Sequence, residues 1–457
     1  VNALHAAFGP IMLVALVALL LTGFPVAFTL MGTAVAFALI GGALGFFDAS
    51  WLGILELRVL GLMNDDLLQA VPVFIYLGVI LQRTTLSNDL LETMAALFRG
   101  RAGGLGISSI LLGLLLAPTT GVVGATVLTI GLLTLPSMLA AGYDRRLASG
   151  IVVCAGTLGT VVPPSIILIL LAGQMRLAAR DAVAPDGGSV SINFLQIYKG
   201  ALLPVAALLC AYLAYVAIAA RKLAPASAAA PAAARLTPRR IVMSLVIPLG
   251  LIALMLASIV TGRLYTVEAA AIGAIAITIF TIVRRELTFA RMAETVREVM
   301  RLSAVVFTLM MGAMTFTLVF RMMGGAEAVT RVLASAPGGL NGAVLLVLTF
   351  SLGLCLLLDA LEILFLVVPL TMPTLLSLGG DPVWLSVMFA ITIQTGFMMP
   401  PSGFAICFLR SVAPPEVKTS EIYAGVAPIL VAQVAVIAAM WAWPSFVTWL
   451  PRAFAAS

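Results

Sequence analysis

A phrase that no uninterrupted membrane helix can contain occurs twice in this chain. The copies are Gly159-Thr160-Val161-Val162-Pro163-Pro164-Ser165 and Gly396-Phe397-Met398-Met399-Pro400-Pro401-Ser402. Both lie in strongly apolar sequence, where paired prolines remove backbone donors and clash with the preceding turn. The offset from Gly159 to Gly396 also relates Pro136 to Pro373, Gly142 to Gly379 and Asp144 to Asp381. One Pro-Pro-Ser marks a helix break and little more. Two in register, each with a matched upstream Pro, Gly and Asp, mark a duplication built around a broken membrane helix. That pattern points to a secondary transporter.

Hydrophobic residues make up 62% of the chain and charged residues 10%, too apolar a balance for a soluble protein of this length. The chain therefore reads as polytopic, with the lipid bilayer as its surroundings and no large soluble domain. The net charge of +6 is spread between apolar segments without interleaved aromatics, so it reads as topology and not as nucleic-acid binding. The single histidine, His5, excludes a His-based catalytic or metal centre within the membrane. Cys154, Cys210, Cys355 and Cys407 show no disulfide or metal spacing. The N-terminus lacks a basic n-region, so no cleavable signal peptide is expected.

The one clear linker spans 221–240, rich in Ala and Pro and carrying Arg221, Lys222, Arg235, Arg239 and Arg240. It separates a first repeat, 1–220, from a second, 241–457. Thr22-Gly23 recurs as Thr261-Gly262, Arg83 as Arg321, and Gly103-Gly104-Leu105 as Gly338-Gly339-Leu340. The spacing predicts a re-entrant hairpin over 103–142 and a broken helix over 147–176. Their counterparts are a hairpin over 342–378 and a broken helix over 383–410. Asn88–Arg99 and Ala326–Ala336 read as amphipathic helices along the interface.

Because the hairpins turn back, each repeat crosses the membrane an odd number of times, and the second begins on the opposite side. The fold class is thus an all-α polytopic membrane protein with two inverted-topology repeats. Each repeat carries a re-entrant hairpin and a broken transmembrane helix. With the linker in the cytoplasm, Arg83, Arg145, Arg146, Arg284, Arg285 and Arg410 also fall inside. An acidic stretch read as a loop, with Asp48, Glu56, Asp65 and Asp66, then falls outside.

A helix interrupted at membrane depth frees carbonyls and amides that only protein, ions or water can satisfy. Oxygen donors suit a hard cation, and helix N-termini suit an anion. The functional reading is two sodium sites, one per hairpin, with substrate between them. The first takes Thr119, Thr120, Gly121, Gly124, Gly156, Thr157 and Gly159. The second takes Leu358, Asp359, Ala360, Gln394, Thr395 and Gly396. Thr126, Thr160, Pro163, Ser165, Glu362, Pro400 and Ser402 fall to the substrate. The competing reading has the glycines permitting close packing and the hydroxyls bonding back to their own helix. Asp359 and Glu362, three apart, share a helix face. They either couple a cation or proton, or one caps a helix N-terminus while the other is solvated. A membrane enzyme using them as an acid pair is the rival class. Mirrored broken helices argue against it, since an enzyme needs one active site.

The passages Thr119–Thr126, Gly142–Asp144, Gly156–Ser165, Tyr265–Ala270, Leu358–Ile363, Asp381–Trp384, Gln394-Thr395 and Pro400–Phe404 resemble the large membrane subunit of tripartite ATP-independent periplasmic (TRAP) transporters. The resemblance covers nearly the whole chain and is closest to the mannitol, chloroaromatic and oxo-acid branch. It implies an elevator-type, sodium-driven importer in the bacterial inner membrane, with Na+ as coupling ion and no organic cofactor. The implied partners are a small four-helix membrane subunit and a periplasmic binding protein that delivers a small organic acid. The implied sodium sites map onto the first tip with the Gly156–Gly159 break, and onto the second tip with the Gln394–Gly396 break. One departure stands out: Thr119-Thr120 precede Val122-Val123 where the sialic-acid branch has a serine-rich tip. A sodium/dicarboxylate-type symporter of related architecture, independent of any binding protein, is the alternative.

Overall fold

The computed structural model describes residues 2–98, 103–120, 123–163, 165–183, 188, 190–222, 237–401 and 403–455. The first half runs α1 (Asn2–Leu20), α2 (Val26–Ala43), a 3-10 turn (Ala49–Leu52), α3 (Gly53–Met63), α4 (Asp66–Arg83) and α5 (Leu86–Leu97). It continues with α6 (Gly104–Thr120), α7 (Val123–Ala140), α8 (Arg145–Thr157), a 3-10 turn (Leu158–Thr160), α9 (Ile166–Asp181) and α10 (Phe194–Ala219). In the second half, α11 (Pro238–Ile241) passes through a π-helical turn into α12 (Ile247–Val260). After these come α13 (Thr266–Val283), α14 (Phe289–Met322), α15 (Gly325–Ala334), α16 (Leu340–Leu354) and α17 (Ala360–Ser377). The last helices are α18 (Pro382–Gly396), α19 (Phe404–Val412), α20 (Thr419–Ala442) and α21 (Ser445–Ala455). Among the described residues, eight helical stretches are long and apolar enough to cross a membrane. The chain is an all-α polytopic membrane protein. Most of the linker, 223–236, lies outside the described residues.

The matched residues of the two halves have matched structural duties. Gly142 and Gly379 both take left-handed φ, 82° and 89°, just past α7 and α17. The next N–H then folds back onto the helix: Tyr143 to the Met138 carbonyl at 3.0 Å, and Gly380 to that of Leu375 at 3.0 Å. This is the Schellman ending, in which glycine avoids the Cβ clash of left-handed backbone. Two residues on, Asp144 accepts the Arg146 N–H at 2.7 Å, and Asp381 accepts those of Val383 and Trp384 at 2.9 Å. Each aspartate thereby caps the helix that leads to a Pro-Pro break.

Packing sorts the chain into two compact units, and each draws on both halves. The first comprises residues 1–69, 170–193 and 301–386. Here α1 packs on α2 and α15, and α15 packs on the hairpin of α16 and α17. Gly9 and Gly325 bring α1 and α15 into backbone contact, since a Cβ on Gly9 would lie 2.4 Å from Gly325 Cα. The second unit comprises 70–169, 194–300 and 387–457. There α8 is gripped by α6 and α7 and crossed by α20. A Cβ on Gly150 would lie 2.3 Å from the Gly425 carbonyl oxygen, so the α8–α20 crossing depends on small residues.

The acidic stretch expected as a loop is largely helical, as the turn 49–52 and α3 show. The helix is interrupted only at Asn64 and Asp65. Asn64 Nδ2 donates to the Leu60 carbonyl at 3.0 Å, and Asp65 accepts the Leu67 N–H at 2.9 Å, which closes one helix and opens the next. The second half has one 34-residue helix, α14, at the equivalent place.

Helices α2 and α13 are each 18 residues long and end alike. The left-handed position falls on Gly45 in one (φ 74°) and on Arg285 in the other (φ 59°). Arg285 is exposed and carries the Cβ strain that Gly45 avoids. Arg285→Gly is expected to stabilise the protein by roughly 0.5–1 kcal/mol. Thermal unfolding in detergent, compared with Gly45→Ala as the opposite change, measures it.

Candidate functional site

The first break is built from hydroxyls. Thr157 closes α8, its Oγ1 donating to the carbonyls of Val153 and Cys154, each at 3.1 Å. Thr160 donates to the Thr157 carbonyl at 2.9 Å, and Ser165 to that of Thr160 at 2.8 Å. From α10, the Tyr198 hydroxyl donates to the Ser165 carbonyl at 3.2 Å. All four side chains are buried. The Thr157 and Thr160 carbonyls at the break thus have partners, as a membrane interior demands. Each hydroxyl oxygen that donates its proton keeps its lone pairs, so acceptor capacity remains inside the break. Gly159 and Pro163 are buried beside them.

Both hairpin arms lean on this break, α6 and α7 contacting α8 and the 158–160 turn. A Cβ on Gly156 would lie 2.9 Å from Val127 Cα, and one on Gly124 would lie 2.5 Å from the Phe408 ring. Close packing accounts for both glycines. Thr126 is buried on α7. Thr119 and Thr120 end α6; their side chains, and the whole of Gly121, lie outside the described residues.

At the second break, α18 ends at Gly396 and α19 restarts at Phe404. The Ala405 N–H returns to the Phe397 carbonyl at 3.1 Å, and the Gly403 N–H to that of Met399 at 3.0 Å. Pro400 and Pro401 are exposed, unlike Pro163, and Ser402 lies outside the described residues. Thr395 Oγ1 lies 2.8 Å from the Ile391 carbonyl and 3.1 Å from Gln433 Oε1. Gln433 Nε2 donates to the Tyr212 hydroxyl at 2.6 Å. Beside this chain, Gln394 is wholly buried. Neither its Nε2 nor its Oε1 has a partner among the described residues, and Thr392 Oγ1 also has none. The two breaks meet in this unit, with Thr157 Oγ1 3.4 Å from Met398 Sδ.

The second tip belongs to the other unit. Glu362 Oε2 accepts the Asp359 N–H at 2.9 Å, so one oxygen of Glu362 is committed to capping α17. Glu268 and Glu421 do the same for Tyr265 and Lys418 at the starts of α13 and α20. Leu358 and Ala360 are buried on either side of Asp359.

Sequence reasoning missed Gln433, Tyr212, Tyr198 and Met398. Gln433 carried a usable signal, being the one amide in the 24-residue helix α20. The tyrosines gave none, because what marks them is the partner each meets in the fold.

Residues 13–446 match the family described as "Tripartite ATP-independent periplasmic transporter, DctM component". The chain belongs to this family. Among its relatives is the C4-dicarboxylate TRAP transporter large permease protein DctM of Rhodobacter capsulatus, 25% identical over 391 residues, covering 84% of this chain and 87% of the relative. The sialic acid TRAP transporter large permease protein SiaM of Vibrio cholerae is 26% identical over 402 residues, covering 87% and 89%. The ectoine/5-hydroxyectoine large permease protein UehC of Ruegeria pomeroyi is 25% identical over 384 residues, covering 83% and 85%. The solved Alcanivorax borkumensis YdaH transporter shares the fold, with a TM-score of 0.61 and 17% identity over 87% of this chain and 90% of that one. This TRAP large permease is a multi-pass inner-membrane transporter and not an enzyme.

Gln433 holds two buried groups at once, Thr395 and Tyr212. Gln433→Leu is expected to cost about 1–3 kcal/mol through the group left unpartnered. Adding Tyr212→Phe to it recovers part of that loss. A double-mutant cycle on thermal unfolding measures the coupling; strict additivity would show that the hydrogen bond contributes nothing.

Proposed function

We propose that this chain is the large subunit of a sodium-coupled tripartite importer. It takes a small organic acid from a periplasmic binding protein and carries it across the bilayer by an elevator motion, beside a small four-helix membrane subunit. One observation carries the reading: Gln394, wholly buried next to the converging breaks, leaves both ends of its amide unpartnered. A buried polar group without a partner costs about 1–3 kcal/mol, so a fold retains one where a ligand completes it.

The donors suit this cargo. Hydroxyl and carbonyl oxygens of Gly156–Gly159 would hold Na+ at the first break, and those of Gln394–Gly396 at the second. No cluster of three His, Cys, Asp or Glu that would favour another metal occurs among the described residues. The unpartnered amide NH2 of Gln394 presents donors to a carboxylate. A C4-dicarboxylate and sialic acid, the cargoes named for two relatives, are acids. Bound Na+ would supply positive charge beside the acid, and the chain's own residues hold and orient both.

Uptake into proteoliposomes containing both membrane subunits is expected to need the binding protein and an inward sodium gradient. Uptake that needs neither overturns the reading. Gln394→Met replaces the unpartnered amide by an apolar side chain of similar shape. It is expected to raise thermal stability by about 1–3 kcal/mol while lowering uptake at least about tenfold. Full uptake in this variant would remove Gln394 from the transport path.

A further inference from the structure

The parting of the first half at Asn64 and Asp65 is not required by the duplication, because α14 runs unbroken at the equivalent place. Beside that parting, wholly within the first unit, lies a cavity of about 450 Å³. Arg58 of α3 and Arg176 and Arg180 of α9 line it, with the buried Gln174. Arg176 is ion-paired with Asp65. Arg58 and Arg180 make no ion pair among the described residues. Arg58 is half-buried, repelled by Arg321 and attracted by Asp181, which pair with each other at 2.7 Å. Three arginines therefore line one concavity with a single lining aspartate, Asp65, which is paired with Arg176.

Neither the fold nor the membrane asks for these charges. Under the offset that relates the halves, Arg176 and Arg180 correspond to Ala413 and Val417. On the orientation read from the charge pattern, this part of the chain faces the periplasm, where basic residues are disfavoured. Arginines serving only as interfacial anchors snorkel outward separately; here they converge on a cavity.

We propose that this cavity binds the carboxylate of a small organic anion at a site separate from the broken helices. A guanidinium fork matches a carboxylate in a planar, two-bonded contact, which explains arginine here in place of lysine. The volume falls in the range of small-molecule pockets, roughly 300–1,000 Å³. Asp65 holds Arg176 in place until an anion competes for it. On the import reading, the site captures acid on the entry side ahead of the breaks. That role rests on the import reading; binding itself does not.

Arginine-directed footprinting with phenylglyoxal tests this on the full chain with its small subunit, in phosphatidylcholine nanodiscs. The probe is a mixture of succinate, lactate and pyruvate, with the corresponding amides as the uncharged control. The acids are expected to slow modification of Arg58 and Arg180 several-fold and to leave the exposed Arg263 unchanged. Arg58→Gln should abolish the protection of Arg180, and Arg58→Lys should keep part of it. Gln394→Met should leave the protection intact, so failure of the transport reading and failure of this site are told apart. Unchanged rates with the acids, or equal slowing by the amides, overturn the proposal. Protection that needs phosphatidylglycerol marks a lipid headgroup site, and protection that needs the binding protein marks a docking contact. Either result overturns it too, as does loss of protection in Gln394→Met.

Discussion

A main chain inside a bilayer has no water to bond to, and this protein nevertheless breaks two of its buried helices. Everything near the breaks answers that constraint. At the first, Thr160, Ser165 and Tyr198 direct hydroxyl donors onto the carbonyls of Thr157, Thr160 and Ser165 at and beside the break. At the second, the restarting helix folds its own N–H groups back onto Phe397 and Met399. One break is satisfied by side chains and the other largely by backbone. The same phrase thus has two local solutions, and among the described residues the Gln394 amide is left open at both ends.

Satisfying a break takes neighbours at close range, and small residues provide it. Gly156 admits Val127, Gly113 admits the Ala155 carbonyl, and Gly150 and Gly425 let α8 and α20 cross nearly in backbone contact. In a membrane, apolar surface gains little from burial against another helix, so close van der Waals contact carries the association. The α8–α20 crossing joins helices from different halves. The packing units consequently cut across the repeat, each combining one hairpin with helices of the other half.

Much of the helical plan was legible because its signals are local. Prolines, left-handed glycines and capping aspartates act within a few residues, so Gly142, Asp144, Gly379 and Asp381 announced helix ends that the structure contains. The helix α3 has a loop-like sequence because its acidic residues resemble solvent-facing sequence, and Asn64 and Asp65 mark its end. At the site, the two phrases and the residues just before them pointed to Thr157, Ser165, Gln394 and Thr395. They did not point to Tyr198, Tyr212 or Gln433, which reach the breaks from helices remote in sequence. The dual character of the hydroxyls was equally hidden. Thr157 and Thr160 do bond back to their own segment, yet their acceptor lone pairs remain inside the break.

By itself the sequence determined that this is a membrane protein, duplicated, with a broken helix and a hairpin in each half. Hydropathy, proline chemistry and repeat register are properties of short segments, and they need no neighbours to be read. The tertiary structure decided which half's helices pack on which hairpin, that Thr157 and Met398 bring the two breaks together, and that both ends of the buried Gln394 amide lack a partner among the described residues. It also gathered Arg58, Arg176 and Arg180 around one cavity. Those outcomes depend on contacts between residues far apart in the chain, and such contacts leave no periodic trace in a single sequence.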